Sequence, residues 1–450
     1  MRYASALWID PGLGKTVVTL TSILHLIDNK YLKSALVVAP IRVIKLVWRQ
    51  EALKWDHLRH LKFSMITGTQ DQRIQGLLRQ ADIYLINYEN IGWLSKYLTV
   101  YYTQQQKQLP FDGLVWDEIT KCKNSASARV RAIKKHIPKF KWITGLTGEP
   151  APNGYKDLHG QYLVLDGGER LGTSKIRFQE TYFFKRGFKL LNFKDTPQRI
   201  QKRINDITLH MSAEDYLSLP DLIVNDVIVK LSPELREKYD QLEQDFFFKM
   251  ESGTTIEVFN KASLGNKCLQ FSNGAVYPTP DAMTWEPLHD LKLEALGNIL
   301  SESSGQPVLC AYAYRSDATR IMTYFKSLRP INLTACRTQK NLDDAMRRWQ
   351  SLDCPLMIGH PDSIGHGIDG LQSTGHIIVW FGLTWALDLF NQFNARLRRN
   401  GQFSPVMCHR ILTQDTMDQA QVKALDAKAT TQDDLKQAVD TYFRKRYTTS

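Results

Sequence analysis

No two of the six cysteines stand close enough in sequence to seed a metal site: Cys122, Cys268, Cys310, Cys336, Cys354 and Cys408 are scattered singly, without a CxxC pair. That spacing argues against a zinc ribbon or a dithiol redox centre and leaves reduced, mostly buried thiols. The sequence also lacks any apolar run approaching the ~20 residues of a membrane-spanning helix, and Met1 to Asp10 has neither the h-region nor the cleavage site of a signal peptide. No Pro/Gly/Ser-rich or Gln-rich tract interrupts the 450 residues, which removes disorder, collagen and coiled coil as classes. A soluble, cytoplasmic protein with no membrane partner is expected.

What is present is the composition of an ordinary globular enzyme, 43% hydrophobic and 23% charged, with length for two or three domains at ~150 residues each. The formal charge of +12 favours a polyanionic partner, because neutralising phosphates releases condensed counterions. Apolar, β-branched runs alternate with amphipathic stretches twice. Residues 36–40, 82–89, 113–118 and 141–148 read as one set of strands, and 307–314, 355–360, 376–382 and 406–413 as a second. The fold class expected is therefore α/β, with parallel sheets flanked by helices in two lobes. Between the lobes Ser232-Pro233-Glu234 marks a helix start. Leu235, Tyr239, Leu242 and Phe246 follow at helical spacing, so a helical insertion is expected around 232–300. The run Phe246-Phe247-Phe248 reads as a core-facing aromatic stripe.

The chemistry begins at Asp10-Pro11-Gly12-Leu13-Gly14-Lys15-Thr16, which follows the apolar run Ala6 to Ile9 and leads into a helical pattern over 17–27. Strand, glycine loop and helix is the context a phosphate-binding loop requires. Gly12 and Gly14 let backbone N–H groups close around phosphate oxygens, Lys15 reaches the β- and γ-phosphates, and Thr16 offers a hydroxyl to magnesium. The strict pattern fails at its first position, where Ile9 stands. The partner motif compensates: Leu114-Val115-Trp116-Asp117-Glu118 is an apolar strand ending in two carboxylates, Asp117 for the metal shell and Glu118 as general base.

These residues resemble the Swi/Snf-related DNA translocases of helicase superfamily two, in the compact form carried by bacteriophages. The segment 10–16 resembles motif I. Val37 to Pro40 with the Trp48 to Trp55 helix resembles motif Ia, Trp116-Asp117-Glu118 with Lys123-Asn124 motif II, and Leu146 to Asn153 motif III. Met211 to Asp215 with Leu219-Pro220 looks like the linker into the second lobe. There, 307–314 resembles motif IV, 363–371 motif V, and 392–402 fits motif VI at every defining position. The resemblance implies two tandem RecA-like P-loop lobes, 1–205 and 206–450, hydrolysing ATP with magnesium held by Thr16 and Asp117 and translocating on DNA, duplex by preference. It makes Arg396 and Arg399 arginine fingers that act when the cleft closes, and Gln392 a nucleotide sensor that relays to Thr147 and Gly148. Lys123, Ser363, Gly367 and Trp385 would lie near the nucleic acid, with Trp385 equally readable as a core tryptophan. A phage protein of this kind would work in the host cytoplasm. The rivals are a strand-separating DNA or RNA helicase and a nucleic-acid scaffold whose ATPase has decayed.

Three departures from the family pattern stand out. Glu149 occupies a position where a hydroxyl residue is usual, and Ile119-Thr120 follows the carboxylates where many relatives have an apolar residue and then histidine, so the coupling of hydrolysis to movement is expected to differ. Only Met1 to Ile9 precede the phosphate loop, where the family carries an aromatic-Gln element that reads adenine. Either that element lies upstream of Met1, or the nucleotide is held mainly by its phosphates.

Overall fold

The computed structural model of the protein describes residues 3–100, 109–152, 154–186, 189–216, 219–251, 258–279, 282–364, 368–427 and 442. It divides into two compact units, Met1–Leu217 and Ser218–Ser450.

In the first unit the chain lays down β1 (Tyr3–Ile9), β2 (Ala35–Ala39), β3 (Phe63–Ile66), β4 (Ile83–Asn87), β5 (Gly113–Asp117) and β6 (Trp142–Thr147). A hairpin of β7 (Phe183–Arg186) and β8 (Lys189–Asn192) follows, and β9 (Thr208–Met211) then returns to the sheet. The seven strands run in the order β3-β4-β2-β5-β6-β1-β9, all parallel. Helices cover both faces, so β2 is buried along its whole length and reads as an unbroken apolar run. Its residues alternate between cores. Leu36 and Val38 join Trp116 and Ile143 on one face, while Ala35, Val37 and Ala39 join Val115 and Leu146 on the other.

The second unit has β10 (Leu222–Val229), a short antiparallel pair of β11 (Ala275–Val276) and β12 (Glu286–Pro287), then β13 (Val308–Ala311), β14 (Ile331–Asn332), β15 (Leu356–Gly359), β16 (Ile377–Trp380) and β17 (Val406–Thr413). Its six-stranded sheet, β10-β17-β16-β13-β15-β14, is parallel throughout. Each of the eight runs read as strands overlaps one. The α/β class with two parallel sheets is thus the observed architecture.

The unit boundary differs from the expected 205/206. β9 lies beyond that point yet pairs with β1 from Ala6↔Thr208 to Ile9↔Met211, so the first unit extends past it. The expected helix does start at Pro233 and runs to Glu251. Its Tyr239 is fully buried, and Leu235 and Leu242 pack with it against Cys268, Phe271, Met417 and Ala420. The region is not wholly helical, because β11 and β12 interrupt it before the helix Leu291–Glu302. The side chains of Phe246, Phe247 and Phe248 lie outside the described residues, as do Asn153 and Gly367. All six cysteines are free and buried. Among the described residues, no helix is long and apolar enough to cross a membrane.

Candidate nucleotide site

The phosphate loop spans the gap between β1 and the helix α1 (Lys15–Asp28). Gly12 and Gly14 both adopt positive φ, 94° and 78°, in the region where an L side chain is strained. Gly14 is the N-cap of α1 and supplies no side-chain cap, and the positive end of the helix faces the loop. Lys15 places its Nζ on the Ile9 carbonyl at the loop's own base. A second tether fixes the loop from β9: Asp10 N–H donates to the Met211 carbonyl at 3.1 Å, and its carboxylate accepts from Ala213 N–H at 2.9 Å.

Asp117 and Glu118 terminate β5 at the same carboxyl edge of the sheet from which the loop rises. The indole N–H of the fully buried Trp48 donates to Asp117 Oδ2 at 2.9 Å. Glu118 sits in the left-handed region at φ 62°, ψ 61°, a conformation of a kind that costs roughly 1–3 kcal/mol for a side-chain-bearing residue and persists only where neighbours impose it. Here the neighbour is Tyr88, whose hydroxyl donates to the carbonyls of both Asp117 and Glu118, at 2.8 and 3.0 Å. Burial pushes the Tyr88 phenol well above its usual pKa, so it stays a donor. Trp116 stacks on its ring at 6.1 Å.

Thr147 and Gly148 close the group. β6 lies between β1 and β5, with Thr147 opposite Trp8 and Leu146 opposite Asp117. A Cβ on Gly148 would stand 3.0 Å from Pro11 Cδ, close enough that a larger residue would push the two loops apart by a few tenths of an ångström. The backbone N–H of Glu149 donates to Thr147 Oγ1 at 3.1 Å, a bond that does not depend on the side chain at 149. Lys123 lies past the short turn Ile119–Cys122 with its side chain exposed, away from this cluster's interior.

The second unit brings the expected motif V and motif VI segments together. Arg396 is buried, its Nη1 donating to the Ile368 carbonyl at 2.8 Å and its Nε to the Gln392 carbonyl at 3.3 Å. Arg399 Nη1 is 3.4 Å from Asp369. Gln392 Oε1 is buried and finds no hydrogen-bond partner among the described residues, the condition of an acceptor awaiting a donor. Ser363 is in the turn of helix Pro361–Ile364, and Gly367 lies outside the described residues. Trp385 is half-buried and packs against the Tyr239 cluster.

Trp48 and Tyr88 are the residues that the sequence analysis left without a role. A tryptophan in the motif Ia segment was the available signal for the first. Nothing local marks Tyr88 as a neighbour of Glu118.

The family described as "SNF2-related domain" matches residues 5–272. A phage protein, putative protein p41 of Acyrthosiphon pisum secondary endosymbiont phage 1, is 33% identical over 97% of this chain and 95% of its own length. The putative ATP-dependent helicase/translocase YwqA of Bacillus subtilis is 24% identical over 97% of this chain but only 47% of its own length. Among solved structures, the Sulfolobus solfataricus SWI2/SNF2 ATPase core in complex with dsDNA is 22% identical, covers 94% of this chain and 86% of that one, and superposes with a TM-score of 0.42.

Proposed function

The chain belongs to the SNF2-related family, and on that premise we propose that it is an ATP-driven motor that hydrolyses ATP with magnesium and translocates on DNA, duplex by preference. The observation that carries this is the shared carboxyl edge of β1, β5 and β6: a glycine loop with two left-handed glycines, Lys15, and a carboxylate pair held in a strained turn. Relatives named as ATP-dependent helicases support the same class of activity.

The donor set fits a phosphate-bound magnesium, with a hydroxyl at Thr16 and a carboxylate at Asp117. When bound, the ion would offset charge on the β- and γ-phosphates. The chain's own residues do the rest. The loop amides and Lys15 hold the phosphates, and Trp48 fixes the Asp117 carboxylate. Glu118 takes the proton of the attacking water as that oxygen bonds to the γ-phosphorus and the bond to the bridging oxygen of ADP breaks. Arg396 and Arg399 are assigned, by resemblance, to neutralising the transferring phosphoryl group, with Gln392, Thr147 and Gly148 coupling that event to the strand. Lys123, Ser363, Gly367 and Trp385 are assigned to the neighbourhood of the DNA on the same basis.

The test is ATP turnover of the full chain with duplex DNA, single-stranded DNA and RNA in parallel. Strongest stimulation by duplex is expected. Stimulation by RNA alone would sink the DNA assignment, and no turnover under any condition would sink the motor.

A further inference from the structure

A second basic feature lies away from the phosphate loop. The helix Thr196–Ile204, the helix Lys175–Tyr182 and the 166–172 turn line a concavity of about 580 Å³ in the first unit. It adjoins the turn Asn205–Ile207 that leads into the amino end of β9. The phosphate loop is tied to the carboxyl end of the same strand, through Met211. The two sites are therefore at opposite ends of β9.

The charge distribution is set by which partners are already engaged. Arg170 forks onto Asp206, with Nε and Nη2 at 2.9 and 2.5 Å from its carboxylate, and its Nη1 is 3.2 Å from the buried Asp166. Those two carboxylates hold Arg170 in place, and the exposed Glu169 is 4.0 Å from the same guanidinium. The helix Thr196–Ile204 contributes Arg199, Lys202 and Arg203 and contains no acidic residue. Thr196, Ile200 and Ile204 bury its other face, so the three cations, at i, i+3 and i+4, share one exposed face. Arg199 lies over the ring of Tyr182 at 5.1 Å and is 3.6 Å from the exposed Asp195. Arg203 donates to the Arg170 carbonyl at 3.3 Å. Positive charge thus stands along a recess whose wall includes the buried ring of Tyr182, and a low-dielectric wall concentrates the potential that such charges produce. Guanidinium groups present paired donors that match phosphate oxygens.

We infer that this recess is a second phosphate-binding site, taking backbone phosphates of the nucleic acid partner at a place separate from the nucleotide. The inference rests on the proposed DNA-motor function. It makes Arg199, Lys202 and Arg203 contributors to DNA affinity that leave the hydrolytic groups untouched.

The experiment compares the full chain with its Arg199→Gln/Lys202→Gln/Arg203→Gln variant, measuring duplex affinity between 50 and 200 mM salt. Each phosphate contact contributes ~0.9 to the log-log slope. Losing two or three contacts should therefore narrow the fall in affinity across that range by roughly 10- to 40-fold. ATP turnover without DNA should be unchanged, and so should the thermal midpoint of Lys202→Gln alone, which is expected to lower the slope by about one contact, ~0.9. Equal slopes and equal affinities in a protein that does bind DNA would overturn the inference and leave the motor standing. Failure of the unaltered chain to bind any DNA would instead overturn the function on which it rests. Inorganic phosphate forms the last arm. If it raises the thermal midpoint of the unaltered chain but not of the triple variant, while the DNA slopes coincide, the recess takes a free anion and the nucleic-acid assignment is wrong.

Discussion

Trp48→Phe isolates one hydrogen bond in the proposed catalytic turn. The indole N–H, on the helix Trp48–Lys54, is 2.9 Å from Asp117 Oδ2, and Asp117 closes β5 after four buried residues. Phenylalanine keeps an aromatic ring in the cavity but removes the donor. A hydrogen bond to a charged group is worth roughly 1.5–3 kcal/mol, and each ~1.4 kcal/mol is tenfold in rate. If the bond holds Asp117 in the orientation that its metal role requires, turnover should fall roughly 10-fold or more. The magnesium concentration for half-maximal activity should rise in parallel. The substitution also leaves unfilled volume and is expected to cost ~1–3 kcal/mol of stability, by analogy with other large-to-small core changes. Steady-state ATP hydrolysis is therefore measured across a magnesium titration, at a temperature where circular dichroism shows the variant folded. Loss of stability alone would lower the amount of active protein and leave the magnesium midpoint in place. A folded variant with the turnover and magnesium midpoint of the unaltered chain would refute the proposed positioning role.

Lys15→Ala is expected to weaken nucleotide binding, whereas Glu118→Gln should retain bound ATP and lose hydrolysis; filter binding and phosphate release measured on both variants separate the two roles. Arg396→Ala and Arg399→Ala should each lower turnover at saturating DNA by ~10³-fold, the scale of an arginine finger, and unchanged rates in both would remove that assignment. In the second unit Lys292 and Asp418 form a buried ion pair at 2.7 Å. Asp418→Ala should cost ~3–5 kcal/mol by stranding the ammonium, while Lys292→Met with Asp418→Leu should cost much less, as read by denaturant unfolding. Burial holds the imidazoles of His136, His159 and His289 down to about 4. Unfolded chains take up protons from 6.5 downward, so the stability these groups confer is present above pH 6.5 and is lost as pH falls towards 4, by up to ~1.4 kcal/mol per group per unit. Asp317, raised to about 6 by burial, acts in the opposite sense, losing stability as pH rises from 3.8 to 6. Thermal midpoints recorded from pH 7.5 to 4 should fall if the three histidines dominate, and a flat profile would show that they do not.

Most strands and the candidate site segments are legible in the linear order of residues. A parallel strand buried on both faces must be apolar throughout, so β2, β5, β13 and β16 announced themselves as short unbroken runs. Glycines at 12 and 14 before Lys15, and two carboxylates closing such a run, likewise stand out as candidates without reference to any distant residue. Strands with weaker patterns escaped. β3 is four residues interrupted by Ser64, and β10 carries Asn225 and Asp226 at its centre, on a largely exposed edge of the second sheet. Pairing between remote segments was decided only in three dimensions. β9 joins β1 across some two hundred residues, which moves the unit boundary and anchors the phosphate loop through Met211 and Ala213. Trp48 reaches Asp117, and Tyr88 reaches Glu118, because β2, β4 and β5 are sheet neighbours whose carboxyl ends share one edge. The basic recess likewise needs Arg170 and Arg199 from separate elements. Periodicity records which face of an element is buried; it carries no information on which other element covers that face, and that choice placed the groups that hold the Asp117 carboxylate and the backbone at Glu118.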